Sequence, residues 1–109
     1  MRPLLYLCLP VALLVPAVVH AGQIYGSIVS GGRGVGRTPL EVNCGGNKTP
    51  GVTGPDGSYR INVPQQGQCT LTLPDQPGGP SAVIFSSPNP AAYNYELVPR
   101  QGTSELQRR

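Results

Sequence analysis

The side chains with means for acid–base, nucleophilic or ligating chemistry are few. They are the carboxylates Glu41, Asp56, Asp75, Glu96 and Glu105 and the thiols Cys44 and Cys69; the only histidine, His20, and the third cysteine, Cys8, lie in an apolar N-terminal run. Without an imidazole beyond that run, Ser-His-Asp and Cys-His nucleophilic systems have no base. Two cysteines and five scattered acids supply no convincing zinc set. Paired carboxylates can hydrolyse glycosides, but no two of these five share a recognisable motif. Asp56 sits in Gly54-Pro55-Asp56-Gly57 and reads as a turn residue; metal binding by Asp56 with Asn62 has no support. The glycine-rich stretch Ser30–Arg37 has G-x-G spacings. It lacks the G-K-[ST] ending of a phosphate-binding loop, and no helical pattern follows it. The sequence therefore predicts no catalytic residue, no metal and no cofactor. Asn47-Lys48-Thr49 matches a glycosylation pattern that is common by chance.

The elements that carry these residues begin after a leader. Arg2 supplies a positive start, Leu4 to Val19 is an apolar run, and Val19-His20-Ala21 offers small residues for a peptidase. Cleavage is expected after Ala21, giving a signal peptide at residues 1–21 and a single domain at residues 22–109. The run is short for a bilayer span, which needs roughly 20 residues, so no stable membrane span is expected after cleavage. Export places the domain in the periplasm or outside the cell. Beyond Ala21 there are seven Lys or Arg against five acids, scattered except for Arg108-Arg109. That balance is too weak for nucleic acid.

A domain of this size is marginal unless stapled. Six or seven short runs supply its strands: the alternating Gln23–Val29, Thr38–Cys44, Ser58–Val63, Gln68–Leu73 and Ala92–Val98, the apolar Ser81–Ser86, and Thr103–Gln107 as a last edge strand. Between them Gly and Pro mark turns, and Gly45–Gly51 reads as loop. No helical period occurs outside the leader. Short strands with Gly/Pro turns predict an all-β antiparallel sandwich. Parity then gives the cysteines a direction. Cys44 shares a face with Leu40 and Val42, and Cys69 shares one with Leu71 and Leu73. Both thiols should enter the same core, which favours a bridge in an exported domain; two unpaired core thiols are the alternative. Tyr93, Tyr95 and Leu97 also share a face, so burial of Leu97 would make both tyrosines core.

The run Gly22-Gln23-Ile24-Tyr25-Gly26-Ser27-Ile28, the strand Thr38-Pro39-Leu40-Glu41-Val42 and the segment Gly54-Pro55-Asp56-Gly57-Ser58-Tyr59-Arg60-Ile61-Asn62-Val63-Pro64 resemble the carboxypeptidase regulatory-like domain. The match covers roughly Gly22 to Leu73, and the turn is its most specific part. It implies a prealbumin-like (transthyretin-like) Greek-key sandwich of about seven strands. The paired cysteines and the C-terminal tyrosine-rich strand are similar to small stand-alone members exported by Gram-negative bacteria. The family's usual Asp after the Thr is Gly54 here. The peptidase activity in that family's name belongs to a separate zinc domain. A related hydrolase of the urate pathway depends on histidines and a C-terminal Tyr-Arg-Gly-Ser, whereas this chain ends Glu105-Leu106-Gln107-Arg108-Arg109.

These readings lead to a non-catalytic exported module with a structural or protein-interaction role, its partner another protein or an envelope component. Contact is expected through end loops or through strand addition at a sheet edge. The alternative is a carbohydrate-binding module, with Tyr25, Tyr93 and Tyr95 as candidate contacts.

Overall fold

A computed structural model of the chain describes residues 22–109; the expected leader, residues 1–21, lies outside the described residues. The strands are β1 (Gly22–Ser30), β2 (Arg33–Gly34), β3 (Pro39–Cys44), β4 (Asn47–Val52), β5 (Ser58–Val63), β6 (Gly67–Thr72), β7 (Ser81–Ser86), β8 (Ala91–Ala92), β9 (Tyr95–Arg100) and β10 (Thr103–Arg108). They form two sheets. One runs β10-β9-β1, with β5 and then β2 on the far side of β1; the other runs β4-β3-β6-β7.

Alternation decides which face each strand buries. Ile24 and Ile28 of β1, Leu40 and Val42 of β3, Tyr59, Ile61 and Val63 of β5 and Leu71 of β6 all turn inward and pack with Leu73, Ile84, Leu97 and Leu106. Their outward neighbours are polar: Arg60 and Asn62 are exposed, and Thr70 and Thr72 are half-buried. Removing such apolar faces from water is the main driving force of a sandwich, about 25 cal/mol per Å². Going round the molecule, β6, β3, β4 and β5 stand side by side, β4 meeting β5 across the gap between sheets. Three consecutive strands with the fourth returning beside the first make a Greek key. The fold is an all-β Greek-key sandwich.

The first sheet is mixed rather than purely antiparallel. β1 pairs antiparallel with β5 but parallel with both β8 and β9. The chain reaches β8 by crossing from the edge strand β7 of the other sheet, which sets this direction. The Ala92–Val98 run is also not one strand. It breaks at Tyr93–Asn94, where Asn94 Oδ1 accepts the Ser27 backbone N–H at 2.9 Å. A side-chain oxygen thus replaces a main-chain carbonyl and bridges the gap between β8 and β9.

Gly45–Gly51, expected to be loop, is mostly strand. Cys44 pairs with Asn47, so only Gly45 and Gly46 turn, with φ of 61° and 95°. A Gly-Gly pair suits the two-residue hairpin, which needs positive φ at both positions. Gly31-Gly32 does the same between β1 and β2, whose Ser30 and Arg33 pair. The polar β4 carries no inward apolar run because it is an edge strand.

Candidate binding surfaces

The cysteines are placed by register. Glu41, Val42 and Asn43 pair with Thr72, Leu71 and Thr70, so Cys44 falls opposite Cys69 one step on. Their Cα atoms are 4.4 Å apart and the sulfurs are bonded, a spacing typical of directly opposed residues in the closer kind of antiparallel pair. Both are buried. The bridge staples β3 to β6 in the middle of the second sheet and offers no reactive thiol.

Asp56 is committed to its turn. Its Oδ1 accepts the Ser58 N–H at 3.1 Å and the Ser58 hydroxyl at 2.7 Å. The Ser58 hydroxyl bond, joined by that backbone N–H, holds the Asp56 carboxyl below its ordinary pKa. Gly57 N–H closes the turn on Gly54 O at 3.0 Å, and Ile28 N–H reaches Gly57 O at 2.9 Å. Glu105 is held by Arg100 Nε at 2.8 Å, and Glu41 lies 4.0 Å from Lys48 Nζ. The Arg100 hydrogen bond, with the guanidinium's charge, likewise lowers the Glu105 pKa. Among the described residues no three His, Cys, Asp or Glu side chains cluster closely enough to hold a metal.

The tyrosines divide into two groups. Tyr93 and Tyr95 lie together, with ring centroids 6.5 Å apart and planes 10° from parallel. Leu97 and Tyr95 are both buried, so Tyr95 is core. Tyr93 is half-buried, and its ring is covered by Tyr95 and by the Arg108 guanidinium 4.4 Å from its centroid. Its hydroxyl oxygen accepts the Phe85 N–H of β7 at 3.0 Å. Tyr95 therefore packs in the core, and Tyr93 closes one end of the β7 edge through its hydroxyl. The parity shared with Leu97 carried this signal for Tyr95; Tyr93 lies at the break before β9 and is half-buried rather than core.

Tyr25 lies elsewhere, on the outward face of the first sheet, 37% exposed. It pairs directly with Arg60 of β5, and Gln23 pairs with Asn62. The Arg60 guanidinium carbon is 5.5 Å from the Tyr25 ring centroid, and Arg60 Nη1 donates to Gln23 Oε1 at 2.8 Å. Gln23 Nε2 in turn donates to Asn62 Oδ1 at 3.3 Å. Tyr25, Ser58 and Arg60, with Val52 at the end of β4, line a cleft of about 320 Å³. Sequence reasoning singled out Tyr25 but not Arg60, whose pairing with it depends on the β1–β5 register.

The third surface is β7. It ends its sheet, and it has neither charge nor proline: Ser-Ala-Val-Ile-Phe-Ser. Ile84 faces the core, while Val83 and Phe85 are 54% and 56% exposed on the outer face. Val83 and Phe85 pair with Thr70 and Gln68 of β6. The Phe85 N–H bonds to Tyr93, not to β6, so by ladder alternation the Val83 N–H and C=O also point away from β6. The other outer strands carry protection that β7 lacks. β4 contains Lys48 and Pro50, and β10 contains Glu105 and Arg108. Charges and prolines are the usual guards of sheet edges.

No protein-family model matches the chain, and no curated protein does. Among solved structures, the crystal structure of a DUF3823 family protein from Parabacteroides merdae is similar, with a TM-score of 0.57 at 14% identity over 84% of this chain. The match takes in 48% of that protein, so this chain corresponds to about half of its length. At that identity the likeness shows a shared β fold.

Proposed function

We propose that this is an exported, non-catalytic binding module that engages a partner protein of the cell envelope through β7. The carrying observation is an uncharged, proline-free outer strand with Val83 and Phe85 exposed on its outer face. Its occupant is an extended, uncharged segment of the partner, with apolar side chains at alternate positions to cover Val83 and Phe85. Main-chain bonds at the Ser81–Val83 end supply affinity, and the alternate side chains supply specificity. Tyr93 holds the Phe85 amide, so the added strand ends there and its register is set. The leader-like N-terminus and the buried Cys44–Cys69 bridge support an oxidising compartment such as the periplasm. The resemblance to the carboxypeptidase regulatory-like domain supports a supporting module rather than an enzyme, as does the commitment of Asp56 to its turn.

Substitution tests this reading without unfolding the domain. Val83→Lys puts a charge on an exposed outer face, where changes usually move stability by no more than about 0.5 kcal/mol. The expected result is an unchanged unfolding midpoint with loss of the partner that co-purifies with the wild-type domain, while Lys48→Ala on β4 retains it. Retention of that partner by Val83→Lys would contradict the proposal.

A further inference from the structure

Arg60 is oriented by two neutral groups, Gln23 and Tyr25, and has no carboxylate within 4.0 Å among the described residues. A guanidinium carries five N–H donors and no acceptor. Gln23 Oε1 takes one of them and the Tyr25 ring faces the cation, leaving donors for a visitor. Gln23 is itself tied to Asn62, so the guanidinium is held from one side by a cross-strand network on a rigid pair of strands. Beside it the partly open Tyr25 ring and the 62%-exposed Val52 side chain supply apolar surface. The cleft they share, about 320 Å³, falls at the small end of the range for ligand sites.

We infer that this outer face binds a carboxylate carried on a saturated ring, the chemistry that a uronic acid residue presents. The carboxylate takes the open N–H donors of Arg60 in charge-assisted hydrogen bonds, for which the planar guanidinium is suited. The ring's C–H face lies against Tyr25 and Val52. A neutral sugar can make only ordinary hydrogen bonds to the exposed guanidinium, whereas a carboxylate makes charge-assisted ones, so the site favours the acid. The surface lies on the first sheet, away from the β7 edge, and the inference stands independently of the β7 reading.

The test is a titration of the ¹⁵N-labelled domain, residues 22–109 with the bridge intact, with a galacturonic acid trimer and with its methyl ester. The acid should shift the Tyr25 and Arg60 amides in a saturable way. Esterification, or Arg60→Gln, should weaken binding about tenfold or more, the loss of a charge-assisted hydrogen bond. Both Arg60 and Tyr25 are at the surface, so the spectra of Arg60→Gln and Tyr25→Ala report directly whether the fold is kept. No saturable shift at Tyr25 and Arg60, equal binding of the ester, or undiminished binding by folded Arg60→Gln would each overturn the inference.

Discussion

Tyr59 and Gly26 act as a pair at the centre of the first sheet. They are directly opposed on β5 and β1. A Cβ at position 26 would overlap the carbonyl oxygen of Tyr93, so glycine lets the chain before β9 approach β1. The Tyr59 hydroxyl donates to that same carbonyl at 2.6 Å. An aromatic ring opposite a strand glycine restores packing that the glycine lacks. Burial is the main cause that raises the Tyr59 pKa far above its ordinary 10.0, with Tyr95 adding to it and Arg108 opposing it. Burial raises Tyr95 too. Above pH 10 the unfolded chain loses these protons while the fold keeps them. Their contribution is therefore complete below pH 10 and is lost as pH rises beyond it. Denaturant melts from pH 8 to 11 should show stability falling above pH 10, with a shallower fall in Tyr59→Phe. A flat profile would contradict this account of the buried hydroxyls. Alternation in the Ser58–Val63 run puts Tyr59 on the face of Ile61 and Val63, but its carbonyl partner comes from a chain crossing that no local pattern records.

Between elements, the Cys44–Cys69 bridge joins the two central strands of the second sheet. Strand parity was enough to aim both thiols inward, because Leu40, Val42, Leu71 and Leu73 state the buried face plainly. Cross-linking two positions 25 residues apart restricts the unfolded chain and stabilises the fold by about 3–4 kcal/mol in the chain-entropy model. Urea unfolding of the double variant Cys44→Ala/Cys69→Ala should show a loss of that size; a loss below about 1 kcal/mol would mean that the bridge does little for the fold. Other elements were harder to read for physical reasons. β4 is polar, carries a proline and lies at an edge, so it has none of the alternation that marks a half-buried strand. The division between β8 and β9 depends on one side-chain contact, Asn94 to Ser27, between residues far apart in sequence. The parallel pairing of β1 with β9 is likewise a property of the chain path. The alternating runs, by contrast, read directly as strands with a known inner face.

Over the whole molecule, the two sheets present different exteriors. The first carries the polar grid of Gln23, Tyr25, Arg60 and Asn62; the second ends in the uncharged strand β7. The sequence displayed Val83 and Phe85 only as part of an apolar run, and their exposure follows from Ile84 taking the core position between them. Tyr95 is buried beside Leu97, and the half-buried Tyr93 closes the Phe85 end of that edge. The central claim is that β7 receives an extended segment of an envelope protein. Site-specific photocrosslinking in the native host tests it most directly, with a photoreactive phenylalanine analogue placed at Phe85 and, separately, at Gln107 on β10. The account predicts an adduct from position 85 whose crosslinked peptide maps to an uncharged, extended stretch of one partner, with none from position 107. No adduct at 85, or equal adducts from both edges, would contradict it.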